Sequence, residues 1–78
     1  MNIIRGSVVK AIAGRDKDQF FVVLDFDGKY AIICNGKRRT ILNPKKKKAK
    51  HLSVTGTKLS KELMLTDRGI RKALGEFN

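Results

Sequence analysis

The residues with the clearest chemical character are cations. Lys37-Arg38-Arg39, Lys45-Lys46-Lys47-Lys48 and Lys50 place eight positive side chains within 14 residues. Arginine offers a planar fork of donors that matches a phosphate, whereas lysine is a compact charge on a flexible stem. A rigidly placed Arg38-Arg39 pair and a lysine run therefore suit two kinds of contact with one polyanion. The charge is also segregated. Lys and Arg number 18 against seven acids, a net +11, and residues 28–61 hold 11 of the cations and no acid, so the rest of the chain balances at seven of each. A surface built only for solubility intersperses the signs, because a single-sign field repels itself. If about five phosphates are neutralised, log K falls against log salt with a slope near −4.5 on a DNA duplex or about −3.5 on a single strand.

The same inventory argues against catalysis. His51 is the one histidine, and the acids fall in turns and the tail: Asp16, Asp18, Asp25, Asp27, Glu62, Asp67 and Glu76. Asp16 and Asp18 are flanked by Arg15 and Lys17, which keep both carboxylates ionised and leave neither tuned to carry a proton. Asp27 is accounted for by a turn and Asp67 by a helix cap. Cys34 has no second cysteine to pair with, and one Cys with one His is too few for a structural zinc site. It reads as a small hydrophobe in an apolar strand. The expectation is no enzyme, no cofactor or metal, and no small-molecule substrate.

The elements that must position the cations fit one small domain of 78 residues. No apolar run approaches the ~20 residues of a membrane span. Met1 to Arg5 lacks the features of a signal peptide, so a cytoplasmic protein is expected. Alternating apolar residues predict strands at 8–13, 19–26, 29–34 and 37–42, with a fifth at 51–54 ended by Thr55-Gly56. Gly14 pivots the first turn, and Asp27-Gly28 and Asn35-Gly36 are two-residue hairpin signals, so Gly14, Gly28 and Gly36 are the structural turn residues. Pro44 stops the fourth strand, leaving Lys45 to Lys50 as a loop. Phe20, Val22 and Leu24 share one face of the second strand and Phe21 and Val23 the other, which makes that strand central and covered on both sides. A mainly β fold follows: a small five-stranded SH3-like barrel with a short C-terminal helix.

The tail changes period. Leu59 and Leu63 suggest a turn or two of helix, and Thr66 or Asp67 caps a second helix from Arg68. Ile70, Ala73, Leu74 and Phe77 make one apolar stripe, which is expected to dock over Phe21 and Val23. Residues 1–56, with the basic loop 43–50, form the barrel and residues 57–78 the helical segment packed on it.

Few aromatics are left over for stacking. Only Phe26 and Tyr30, beside the Asp27-Gly28 turn, are candidates to stack a base, and both also suit the core. This inventory fits recognition of a structured RNA by shape and backbone better than base-by-base reading.

The stretch GSVVKAIAGRDKDQFFVVLDF, from Gly6 to Phe26, resembles the KOW motif, with Gly14 in the place of the motif's glycine. Asn35-Gly36-Lys37-Arg38-Arg39, Asn43-Pro44 with the lysine run, Lys50-His51-Leu52, and Ile70-Arg71-Lys72-Ala73-Leu74 extend the likeness. The whole chain is similar to the small bacterial KOW-domain RNA-binding proteins, which are themselves similar to large-subunit ribosomal proteins of the archaeal and eukaryotic type. The resemblance implies an SH3-like barrel that binds RNA, ribosomal RNA or the large ribosomal subunit above all, without catalysis. By position it places Arg15 and Lys17 in the motif loop that meets RNA. The expected RNA-binding set is Arg15, Lys17, Lys37, Arg38, Arg39, Lys45, Lys46, Lys47, Lys48 and Lys50. The rival readings are an SH3-like module for an acidic protein or peptide and a DNA-binding architectural protein.

Overall fold

The computed structural model describes residues 2–77, so Met1 and Asn78, the outer bounds of the two expected segments, lie outside the described residues. The strands are β1 (Ser7–Ala11), β2 (Phe20–Phe26), β3 (Tyr30–Cys34), β4 (Lys45–Lys48) and β5 (Leu52–Lys58), followed by helix α1 (Asp67–Leu74). They form one antiparallel sheet in the order β4-β3-β2-β1-β5. β4 and β5 are opposite edges, yet only a 3-10 turn, Ala49–His51, separates them in sequence. In a flat sheet those edges would stand ~19 Å apart. The four chain steps between them reach at most ~14 Å. The sheet must curl, and it makes an open barrel in which no ladder among the described residues joins β4 to β5.

Register explains the core. Val8, Val22 and Cys34 align across β1, β2 and β3 and are fully buried on the outer face. Val9 pairs with Phe21 and Val23 with Ile33 on the inner face, where Ala11, Ala31 and Leu52 join them. The central strand is thus covered on both sides, as its two apolar faces require. α1 lies on the outer face, where Ile70 and Leu74 meet the Val8, Val22 and Cys34 row with Leu59 and Met64, and Phe77 stacks on Phe20 at 5.4 Å. The expected docking over Phe21 and Val23 is therefore corrected. Alternation identifies two faces but not which is concave, and Phe21 and Val23 are consumed by the inside of the curl. On the outer face, burial beneath α1, with Asp67 nearby, pushes the Cys34 thiol up to about 11, so it behaves as a core side chain.

Two bulges reset the alternation. An extra residue between Val23 and Asp25 flips the parity of β2, which sends Phe26 inward against the inner cluster. In β5, residues 55–57 bulge opposite Val8 with Gly56 at φ +87°, and the Thr55 hydroxyl donates to the Val8 carbonyl at 2.9 Å. Thr55-Gly56 therefore bends the last strand without ending it. The strand runs to Lys58, two residues past the expected barrel boundary.

The tail follows its signals. Thr66 caps α1 by accepting the Gly69 N–H at 3.0 Å, and Asp67 and Arg71-Lys72 sit at the helix ends that favour their charges. Thr66→Ala is expected to cost about 1 kcal/mol. In a domain of this size that lowers the melting temperature by roughly 4–8 °C, readable by circular dichroism.

Candidate nucleic-acid interface

The lysine run is a strand. Lys45 to Lys48 pairs antiparallel with β3, through Ile33↔Lys45, Ile32↔Lys46, Ala31↔Lys47 and Tyr30↔Lys48. The loop expected over these residues is corrected. Lysine has little intrinsic preference for strands, but an edge strand of lysines is a common way to stop a bare edge from pairing with another chain. The expected fourth strand at 37–42 is irregular instead. Its backbone donors are taken elsewhere: the Asn35 side-chain oxygen accepts from Lys37 N at 2.9 Å and Arg39 N at 3.2 Å, and Asp67 accepts from Ile41 N at 2.8 Å. Asn35-Gly36 thus starts a side-chain-closed turn and not a two-residue hairpin. Gly28 does sit in a tight hairpin, where Asp27 N donates to Tyr30 O. Gly14, Gly28 and Gly36 take φ +81°, +98° and +76°.

Strand alternation divides the four lysines. Lys45 and Lys47 share the inner face with Ile33 and Ala31. Lys47 is buried, its stem running along the apolar interior and its ammonium donating to the Ala13 carbonyl at 2.8 Å beneath Gly14. Lys45 forms an ion pair with Asp16. These two ammonium groups fasten the 12–19 loop to the barrel, and they differ from the free cations of the expected binding set. Lys46 and Lys48 point outward with Ile32 and Tyr30, on the part of the outer face that α1 leaves open. Lys46 Nζ stands 4.6 Å from the centroid of the half-buried Tyr30 ring and Lys29 Nζ 5.6 Å.

The ion pair has a pH signature. The hydrogen bond from Lys45 holds the Asp16 carboxyl below the ordinary 3.8 of an aspartate, with the charges of Lys45, Lys47 and Arg39 helping and partial burial opposing. A carboxyl lowered by folding adds stability above its unfolded value and loses it as the pH falls through the folded one. Asp16→Asn is therefore expected to be less stable than the wild type at neutral pH, with the gap closing in acid below about pH 4. Urea melts across that range would show it.

A cavity of about 230 Å³ collects the arginines. Arg15 from the loop after β1 and Arg38 and Arg39 from the loop after β3 line it, together with Lys45, Asp16 and Asn35. Its one carboxylate among the described residues, Asp16, is already taken by Lys45. Among the described residues Arg15, Arg38 and Arg39 form no ion pair; the two ion pairs there are Lys45 with Asp16 and Lys10 with Asp18. Arg15 and Arg38 are exposed and Arg39 is half-buried. Lys17, Lys37 and Lys50 are exposed, with Lys50 in the turn after β4.

The arginine loop is held from behind. Arg71 donates to the Gly36 carbonyl at 2.8 Å, and Asp67 receives Ile41 N, so α1 fixes both ends of the segment that carries Arg38 and Arg39. Sequence reasoning left out Lys29, Asp67 and Arg71 here. For Lys29 the signal was its place beside Tyr30; for Asp67 and Arg71 there was none, since their partners lie 26 and 35 residues away. No helix among the described residues is long and apolar enough to cross a membrane. No family model matches the chain, and no curated protein matches it.

Proposed function

We propose that this chain is a non-catalytic RNA-binding protein of the cytoplasm that holds structured RNA by its phosphate backbone, with ribosomal RNA of the large subunit as the partner. The carrying observation is the convergence of Arg15, Arg38 and Arg39 from two loops around one cavity whose one carboxylate among the described residues is already paired. Arginines left without an internal acid are available to an external anion, and their forks suit phosphate oxygens. The open face bearing Lys46, Lys48 and Tyr30 continues the contact, with Lys17, Lys37 and Lys50 as mobile charges at its margins. The resemblance of residues 6–26 to the KOW motif supports RNA over other polyanions, and the motif loop it designates is the one that carries Arg15.

The test is competition at matched salt between an RNA hairpin and a DNA duplex of the same sequence. A protein that follows A-form shape and 2′-hydroxyls prefers the RNA. Equal affinity would favour an architectural DNA-binding protein, and tighter binding of an acidic peptide than of either nucleic acid would favour a protein-interaction module. Co-sedimentation with large ribosomal subunits at raised salt, abolished by ribonuclease, identifies the partner.

A further inference from the structure

A roomier cavity lies apart from the one the arginine loops surround. It has about 570 Å³, within the size range of small-ligand sites, and is lined by Arg5, Lys58, Leu59, Ser60, Lys61 and Met64. Its cations come from the approach to β1, the end of β5 and the segment before α1. They meet because Gly6, at φ +92°, lets the chain before β1 lie against the end of β5. Leu59 N donates to Gly6 O at 2.8 Å, and a Cβ at residue 6 would stand 3.0 Å from the Leu59 carbonyl oxygen. Among the described residues no carboxylate lines this cleft, and Arg5, Lys58 and Lys61 form no ion pair. All three are exposed, whereas the floor, Leu59 and Met64, is buried and apolar.

We propose that this cleft is a second nucleic-acid site, which takes one unpaired nucleotide of RNA. It rests on the RNA-binding reading for the identity of the polymer. The base lies on Leu59 and Met64, where a thioether makes favourable contacts with the edge and face of an aromatic ring. Its phosphates meet Arg5, Lys58 and Lys61 at the rim. The apolar side chains of the floor fit the flat face of a base, and the rim cations, without an ion pair among the described residues, fit the diester charge that accompanies it. A base inside a duplex could not lie there, since both its faces are stacked on its neighbours. Arg5 precedes β1 and Arg15 follows it, and a strand of that length spans ~17 Å, so the two sites lie at opposite ends of the strand. One chain can then hold a structured segment at the arginine cavity and an unpaired segment at the cleft.

The experiment is an NMR titration of the full chain with a short oligoadenylate, a blunt RNA duplex, inorganic phosphate and polyglutamate, following backbone amides and the methionine methyls. Oligoadenylate is expected to shift the Met64 methyl and the amides of Arg5, Lys58 and Lys61, while the duplex shifts Arg38 and Lys46 and leaves the Met64 methyl still. Arg5→Gln, Lys58→Gln and Lys61→Gln together should weaken oligoadenylate binding about tenfold or more and change duplex affinity by roughly twofold at most. A silent Met64 methyl in a protein that binds the duplex would overturn the cleft and spare the RNA reading. So would phosphate reproducing every oligoadenylate shift, because the site would then hold only an anion. Saturation of the Met64 shift by polyglutamate at lower concentration than by oligoadenylate would assign the cleft to an acidic peptide. Binding of neither RNA would overturn both readings together.

Discussion

Replacing Arg15, Arg38 and Arg39 together by glutamine is expected to weaken binding of a structured RNA on the order of 100-fold while leaving the melting temperature close to that of the wild type. A hydrogen bond to a charged group contributes about 1.5–3 kcal/mol net, and the exposure of Arg15 and Arg38 argues for discounting the sum of three. The salt dependence is the sharper readout. Three fewer cations should flatten the slope of log K against log salt by about 2.7, because each neutralised phosphate contributes about 0.9. Stability should hold because none of the three side chains is tied to another part of the protein by an ion pair among the described residues. Fluorescence anisotropy at several salt concentrations, with melts of the same samples, measures both quantities.

Gly36→Ala should have the largest effect on the fold. Gly36 takes φ +76°, and a Cβ there would overlap the Asp67 carbonyl oxygen and stand 3.0 Å from Arg71 N. The left-handed conformation costs a residue with a Cβ about 1–2 kcal/mol, and forcing backbone apart at a packed contact about 1–3 more. A loss of about 2–5 kcal/mol is a large part of the stability of so small a domain, and corresponds to a melting temperature lower by roughly 10–40 °C. Gly28→Ala is the control. Gly28 has φ +98° but nothing within 4 Å of an added Cβ, so only the conformational cost remains. Gly36→Ala should also weaken RNA binding without removing a cation. The substitution pushes the loop off α1, and with it the contacts of Asp67 and Arg71 that hold Arg38 and Arg39 in place.

Local patterns that report on one element were readable in the chain. The paired apolar faces of residues 20–24 marked a central strand covered on both sides, and Thr66 or Asp67 marked the start of the helix, with Thr66 as its cap. What depends on distant partners was not readable. Lys45 to Lys48 has no apolar alternation, and it becomes a strand only because β3 offers its edge, so the division of its lysines into inner and outer pairs waits on a register that the run itself does not encode. Residues 37–42 alternate like a strand, but Asn35 and Asp67 capture backbone donors that a ladder would need. Leu24 and residues 55–57 are bulges, which periodicity reads as a continuation in one case and an end in the other. The basic run was legible as charge, but which lysines serve the fold was not. Arg5, Lys58 and Lys61 are scattered in sequence and meet only at the cleft, so no local pattern marks them as a group.

The most direct test of the central claim compares two double variants that remove the same charge, Lys46→Gln with Lys48→Gln and Lys45→Gln with Lys47→Gln, for RNA affinity and for thermal stability. The outer pair should lose affinity about tenfold at an unchanged melting temperature. The inner pair should lose about 1–3 kcal/mol of stability, since Ala13 and Asp16 give up their partners, with a smaller change in affinity once folded protein is compared. Equal losses of affinity from both pairs with no change in melting temperature would contradict the account, because the four lysines would then be acting as one solvated loop.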